Sequence, residues 1–408
     1  MSRVLGLKCK ECGERYPATP KLACDKCWGP LEVEYDDNVL SKVADKEALR
    51  RRPFNLWRYS ELLPLEDPEK AVDMGDGGTP LIHCRRLGER LGAKELYIKD
   101  DTANPTLSFK DRPASIGVSK CIEFGISTVG CASTGNLAGA VAAHASKAGL
   151  RCVVLVPADI EANKIVQTAN FGARIIAVRG TYDDSNRLGV LAAERLGWGM
   201  ANINIRPFYV EGSKTIAYEV CEQLGWKTPD VVVVPVASGG LLCAAHRGFK
   251  QLESLDWVPE YETRLVASQP LGCSPIVQAF KEKADLSPVE KPSTLVKSLA
   301  IGTPASGYET IRAIEETKGA ADAPSDTETL EAIKLLARHE GIFAEPAGAI
   351  SLASYIRLRQ AGEIDPDERV VLLVTGSGFK AQETASQIVE KPVQIEPTTE
   401  ALLKATET

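Results

Sequence analysis

The chain has 408 residues, 44% of them hydrophobic and 25% charged, enough for two or three domains with a large apolar core. A net charge of -7 and a pI near 5.5 argue against a nucleic-acid or membrane-surface partner. Charges in the opening MSRVLGLKCKECGERY fill the place where a secretory leader needs an apolar stretch, and no apolar run is long enough to span a bilayer. Eleven cysteines, seven of them scattered after residue 80 inside apolar segments, fit buried free thiols in a reducing compartment. A cytoplasmic protein is expected.

In chain order, the first element is a cysteine module. Cys9-x2-Cys12 and Cys24-x2-Cys27 form two knuckles whose four thiolates suit tetrahedral zinc, with a metal-free ribbon as the alternative. Such a zinc would be structural, because four thiolates leave no open position. A linker-like stretch with prolines and mixed charge follows. From about residue 95, short apolar runs alternate with longer amphipathic ones. LYIKDD, TVGCAS, CVVLVP, RIIAVRG, VVVVPVA, RLVASQP and VVLLVTG read as strands. NLAGAVAAHASKAG, EANKIVQTANFG, SKTIAYEVCEQLG, DTETLEAIKLLARHEG and AEPAGAISLASYIRLRQAG read as helices, several stopped by glycine. Near-continuous apolar strands between helices predict an α/β fold with buried parallel sheets. The segment from residue 391 reads as a surface extension.

Ligands in such sheets bind beyond the C-terminal strand ends, where loops meet helix N-termini. Four of these junctions stand out. Lys110, in TANPTLSFKDRPAS, sits beside Phe109 just before a helix; an isolated lysine there is usually a surface charge, but burial beside an aromatic ring would lower its pKa and make it nucleophilic. Ser133-Thr134-Gly135-Asn136 ends a strand and opens a helix, either as a plain cap or as a seat for a carboxylate or a ring hydroxyl. Ser238-Gly239-Gly240-Leu241 lets backbone N–H groups approach a phosphate, although it matches neither a Walker loop nor GxGxxG. Thr375 ends the last strand before a glycine turn. Together they supply a lysine, a phosphate cradle, a polar anchor and an oriented hydroxyl, the set a pyridoxal phosphate site needs.

These segments, with GDGGTPL, YDDSNRL, EGSKT, KSLAIGTPASGYE and GIFAEPAGA, resemble the fold-type-II pyridoxal-phosphate enzymes, and among them the threonine synthases. The resemblance covers nearly the whole chain, and the phosphate turn departs from it by reading ASGGL where many relatives carry asparagine in a GN-x-GN pattern. It implies a tryptophan synthase β-like fold of two three-layer α/β domains with twisted, mostly parallel sheets, behind the zinc-ribbon-like module. The expected limits are 1–37 for the module, 38–125 with 215–390 for the large domain, 126–214 for a smaller nested domain and 391–408 for the tail. Lys110 would carry the cofactor aldehyde, Asn136 would bond the ring hydroxyl, Ser238, Gly239, Gly240 and Leu241 would hold the phosphate, and Thr375 would face the pyridine nitrogen. The implied reaction converts O-phospho-L-homoserine and water to L-threonine and phosphate. Ser133 and Thr134 are candidate contacts for the substrate's anionic groups, and Arg187 is the candidate for its phosphate because a guanidinium grips phosphate oxygens bidentately, with a solvated helix-face arginine as the alternative. A homodimer is expected. The rival readings are a threonine or serine dehydratase, a cysteate synthase and, less favoured because Lys110 is intact, a metabolite sensor. With four histidines and no HExxH or GxSxG, neither a zinc hydrolase nor a serine hydrolase has its parts.

Overall fold

A computed structural model describes residues 2–160, 164–389 and 392–406. The start of the predicted helix at 161–163 and the predicted boundary at 390–391 lie outside them. Each of the seven predicted strands forms, and three sheets organise the described residues.

The largest sheet runs Ala320–Asp322, Arg264–Ser268, Val231–Pro235, Arg369–Val374, Glu95–Asp100, Leu81–His83 from edge to edge. All neighbours are parallel except the last strand, which pairs antiparallel. Its central strands read as unbroken apolar runs because both faces are covered. Val232, Val234, Val371 and Leu373 pack on one side with Ile216, Val220, Leu242 and Phe249. Val231, Val233, Val370 and Leu372 pack on the other with Ile333, Leu336, Leu352 and Tyr355. Each valine of Val231–Val234 is at most 1% exposed, a burial worth about 1.5–3 kcal/mol per side chain.

The second sheet, Arg174–Val178, Arg151–Pro157, Thr128–Ala132, Gly199–Met200, is parallel throughout; its two middle strands are buried on both faces, while the edge strand Arg174–Val178 is largely exposed. The third is an antiparallel ribbon of Arg15–Tyr16, Val4–Cys9 and Leu31–Tyr35, which packs its small core against Phe208. The helix Thr399–Thr406 near the C-terminus has no buried residue. All eleven cysteines are free, and the seven beyond residue 80 are buried. No helix among the described residues is long and apolar enough to cross a membrane.

Candidate active site

The loop that carries Lys110 is fixed from several directions. Lys110 ends it as the residue before the helix Asp111–Glu123. The Asp111 carboxylate accepts from both the backbone N–H and the hydroxyl of Thr106, each at 2.7 Å, closing the loop on itself. Phe109 N–H donates to the Thr375 carbonyl (2.9 Å) and Ser377 N–H to the Leu107 carbonyl (3.0 Å), so the loop is sewn to the end of the strand Arg369–Val374. Leu107 accepts a φ of +65°, the left-handed region, within this turn.

Behind the loop, Arg112 is fully buried and bonded to Asp101, Glu219, Thr79 and Thr215, while Lys99 pairs with Glu219 at 2.7 Å. Burial alone would raise the Glu219 carboxyl, but Arg112 and Lys99 overcome it and hold it at about 2. His144, from the helix Gly135–Lys147, donates through Nδ1 to the Ala140 carbonyl and places Nε2 2.8 Å from Asp76. Burial works against its charged form, yet the bond to Asp76 and the charge of Asp111 raise its pKa.

In front of the loop, Lys110 is half-buried with its Nζ 4.5 Å from the Phe109 ring centre. Burial lowers the ammonium to about 8, Arg206 pushes the same way, and Glu345 opposes both. An amine near 8 has a substantial neutral fraction at neutral pH, as a nucleophile or proton carrier needs. Ser108 Oγ beside it is buried with no protein partner, a polar atom that a ligand would satisfy.

Glu345 joins two further elements of the site. Its backbone N–H donates to Gly376 O, and its carboxylate accepts from Asn136 Nδ2 at 2.9 Å. Burial raises that carboxyl to about 7, against the pull of Lys380, Asn136 and Lys110. Thr375, 3% exposed, stands at the same strand end. Lys380 ties the Lys110 loop to the helix Val166–Asn170, donating to Thr106 O and to Gln167 Oε1, both at 2.7 Å.

Two long helices begin here without a side-chain cap. Thr134 precedes the helix Gly135–Lys147 and Gly239 precedes Gly240–Ser254, and neither makes a side-chain bond to the first turn. Their free N–H groups form anion seats. Gly239 has a φ of +96°, and a Cβ there would lie 1.9 Å from Thr310 Oγ1; a Cβ on Gly240 would meet nothing within 4 Å. The turn is therefore tight behind and open in front, the shape a phosphate cradle requires. Ser306 braces it, its N–H donating to Ser238 O (2.9 Å) while its hydroxyl accepts from Arg206 Nη2 (3.0 Å).

These residues together fit pyridoxal phosphate. The comparisons decide the family. Residues 72–376 match the family described as "Pyridoxal-phosphate dependent enzyme". The threonine synthase of Methanocaldococcus jannaschii is 41% identical over 95% of this chain and 96% of its own. That of Methanosarcina acetivorans is 38% identical over 98% of both. The chain belongs to the threonine synthases. Among solved structures, the processed form of threonine deaminase isoform 2 from Solanum lycopersicum superposes with a TM-score of 0.66 at 20% identity, covering 85% of this chain and 89% of that one. Maize serine racemase gives 0.62 at 20% identity over 76% and 92%. At such identities they show the fold alone.

Within this threonine synthase, Lys110 and Thr375 are joined by the loop bonding, Asn136 reaches the same place through Glu345, and the Ser238–Gly240 turn connects through Ser306 to Arg206, whose charge Lys110 feels. Leu241 follows in the first turn of the helix, buried. Ser133 and Thr134 are half-buried at the uncapped helix start. Arg187 is 67% exposed on the helix Tyr182–Leu196 and pairs with Asp184 at 3.3 Å. The sequence reading passed over Glu345 and Arg206. Glu345 announces itself only as a residue before proline at a helix start, and Arg206 as a cation in IRPF that opens a four-residue helix.

In the ribbon, the Cys9 and Cys27 sulfurs are 3.5 Å apart, those of Cys12 and Cys24 3.6 Å, and all four lie within 4.8 Å of one another. A tetrahedral zinc with bonds of about 2.3 Å spaces its sulfurs at roughly 3.8 Å, so the cluster could hold zinc with little movement.

Proposed function

We propose that this enzyme converts O-phospho-L-homoserine and water to L-threonine and phosphate, with Lys110 as the cofactor-bearing lysine and proton carrier. One observation carries the reading: a half-buried lysine poised near 8 is flanked by two uncapped helix N-termini and by Arg206, which bonds Ser306 and feels the charge of Glu309 without closing an ion pair with it. A substrate that carries a carboxylate and a phosphate, acted on through a cofactor with a phosphate of its own, needs three anion seats around one amine.

Bound pyridoxal phosphate supplies an electron sink for charge developing next to the substrate's amino-bearing carbon. The protein's residues do the rest. The Ser238–Leu241 backbone and the helix behind it hold the cofactor phosphate, Asn136 bonds the ring hydroxyl, and the Thr375 hydroxyl faces the pyridine nitrogen. A neutral hydroxyl there leaves the ring less electron-withdrawing than a carboxylate would, which shifts the burden of stabilising charge to the surrounding contacts. Ser133, Thr134 and the helix N-terminus seat the substrate carboxylate. Lys110 Nζ removes the proton at the α-carbon and then one at the β-carbon. Phosphate leaves from the γ-carbon, water adds its hydroxyl at the β-carbon, and protons return to the α- and γ-carbons.

For the substrate phosphate the geometry favours Arg206 over Arg187. The first is half-buried beside the phosphate turn and electrostatically linked to Lys110; the second is solvated and already paired. The four-cysteine module is read as a structural zinc site, and the enzyme as a cytoplasmic homodimer. The test measures threonine and phosphate together from O-phospho-L-homoserine. Equal amounts of both support the reading. Keto-acid release from threonine or serine without threonine synthesis would move the enzyme to the dehydratases.

A further inference from the structure

The ribbon does not merely hang on the enzyme. Lys10 follows Cys9 directly, and its side chain, only 12% exposed, reaches Glu309 at 2.6 Å across 299 residues of sequence. Glu309 also accepts from Arg247 at 2.9 Å. Those two partners belong to the two elements that build the phosphate turn. Arg247 lies in the helix Gly240–Ser254, which starts at the turn. Glu309 lies in the helix Gly307–Glu316, whose next residue, Thr310, presses its hydroxyl against Gly239. Thr310 Oγ1 donates to Ser306 O (2.7 Å), and Ser306 bonds Ser238.

A second ribbon contact strengthens this seam: Tyr35 OH donates to Glu211 (2.7 Å), which lies 3.7 Å from Arg247. The path from a candidate metal ligand to the phosphate cradle is therefore Cys9, Lys10, Glu309, Thr310, Gly239. Every step is a covalent neighbour, an ion pair or a close contact.

Resting on the reading that the cofactor phosphate sits at Ser238–Gly240, we propose that Lys10 and Glu309 are positioning residues for that turn, so that the metal state of the four-cysteine ribbon sets how tightly the enzyme holds pyridoxal phosphate. A tetrathiolate metal fixes the backbone at Cys9 and with it the direction of the Lys10 side chain. Without it, Glu309 keeps only Arg247 of its two ion-pair partners, and the helix that backs Gly239 is left with Arg312–Glu11 as its ion pair to the ribbon.

The test titrates apoenzyme with pyridoxal phosphate, following absorbance or fluorescence, while zinc content is measured on the same samples. Lys10→Met should keep one zinc per chain and bind the cofactor about threefold to tenfold more weakly, the range expected for loss of a coupled, mostly buried pair. Lys10→Arg should restore most of the affinity. Glu309→Gln, far from the cysteines in sequence, should weaken binding in the same direction. Chelating the metal from the parent should mimic Lys10→Met and add little to it. The proposal is overturned if Lys10→Met and Glu309→Gln both bind within twofold of the parent. It is equally overturned if chelation weakens binding as much in Lys10→Met as in the parent. Failure of the underlying placement looks different: Gly240→Ala would then bind the cofactor normally, whatever the Lys10 variants do.

Discussion

The phosphate turn gives a pair of adjacent substitutions with opposite consequences. Gly239→Ala places a methyl group at φ +96°, 1.9 Å from Thr310 Oγ1 and 2.9 Å from Ser306 O. Backbone strain of about 1–3 kcal/mol and overpacking of about 1–3 kcal/mol together predict a loss of roughly 2–6 kcal/mol. Gly240→Ala has a helical backbone and no atom within 4 Å of the new methyl, so the apoenzyme should gain about 0.5–1 kcal/mol from better helix propensity. Yet that methyl enters the open side of the cradle. Displacing one charge-assisted N–H bond to the phosphate, worth about 1.5–3 kcal/mol, weakens pyridoxal phosphate by about tenfold to a hundredfold. Urea unfolding of the two apoenzymes and cofactor titration of each separate the effects. A Gly240→Ala enzyme that holds the cofactor normally would refute the placement of the phosphate. A Gly239→Ala enzyme as stable as the parent would refute the tight contact with Thr310.

Arg206→Ala should raise KM for O-phospho-L-homoserine by about tenfold or more, as for a lost charge-assisted bond, and Arg187→Ala should stay within about twofold; the reverse ranking in steady-state kinetics would restore Arg187 to the site. Glu219→Gln leaves Lys99 without its buried counter-charge and Arg112 with Asp101 alone, and should lower stability by about 3–5 kcal/mol, seen as a Tm about 4–6 °C lower. The pH dependence follows from the same carboxylate. Glu219 is held at about 2 against an ordinary 4.5, so its stabilisation is complete above about 4.5 and lost as pH falls toward 2, about 3 kcal/mol in all. Acid unfolding in Glu219→Gln should lack that slope, and an unchanged slope would contradict the ion network. Glu345→Gln removes the charge that favours the Lys110 ammonium, so Lys110 in the apoenzyme should titrate below about 8; an upward movement in the pH dependence of its acylation rate would contradict the arrangement.

Much of this was readable before any coordinates because burial on two faces leaves a plain mark. Val231–Val234 and Val370–Val374 are unbroken apolar runs for the reason that helices cover both sides of their sheet. The strands Leu81–His83, Gly199–Met200 and Ala320–Asp322 went unread, being two or three residues long and shaped by their neighbours. Lys110 stood out as a candidate because Phe109, whose ring its Nζ approaches, is adjacent to it in sequence. Glu345 did not, since its role depends on Asn136, 209 residues away. Arg187 was legible as a cation but not by its surroundings: Asp184, three residues earlier on the same helix, pairs with it on an exposed face. Nothing in the sequence marks Lys10, because the residue that pairs with it, Glu309, lies 299 residues away.

The most direct test of the central claim is borohydride reduction of the cofactor-bound enzyme, followed by peptide mapping of the lysine that becomes fixed to it. The account predicts a pyridoxyl group on the peptide containing Lys110 and none in Lys110→Ala. A pyridoxyl group on Lys380, Lys99 or any other lysine of the parent enzyme would contradict it.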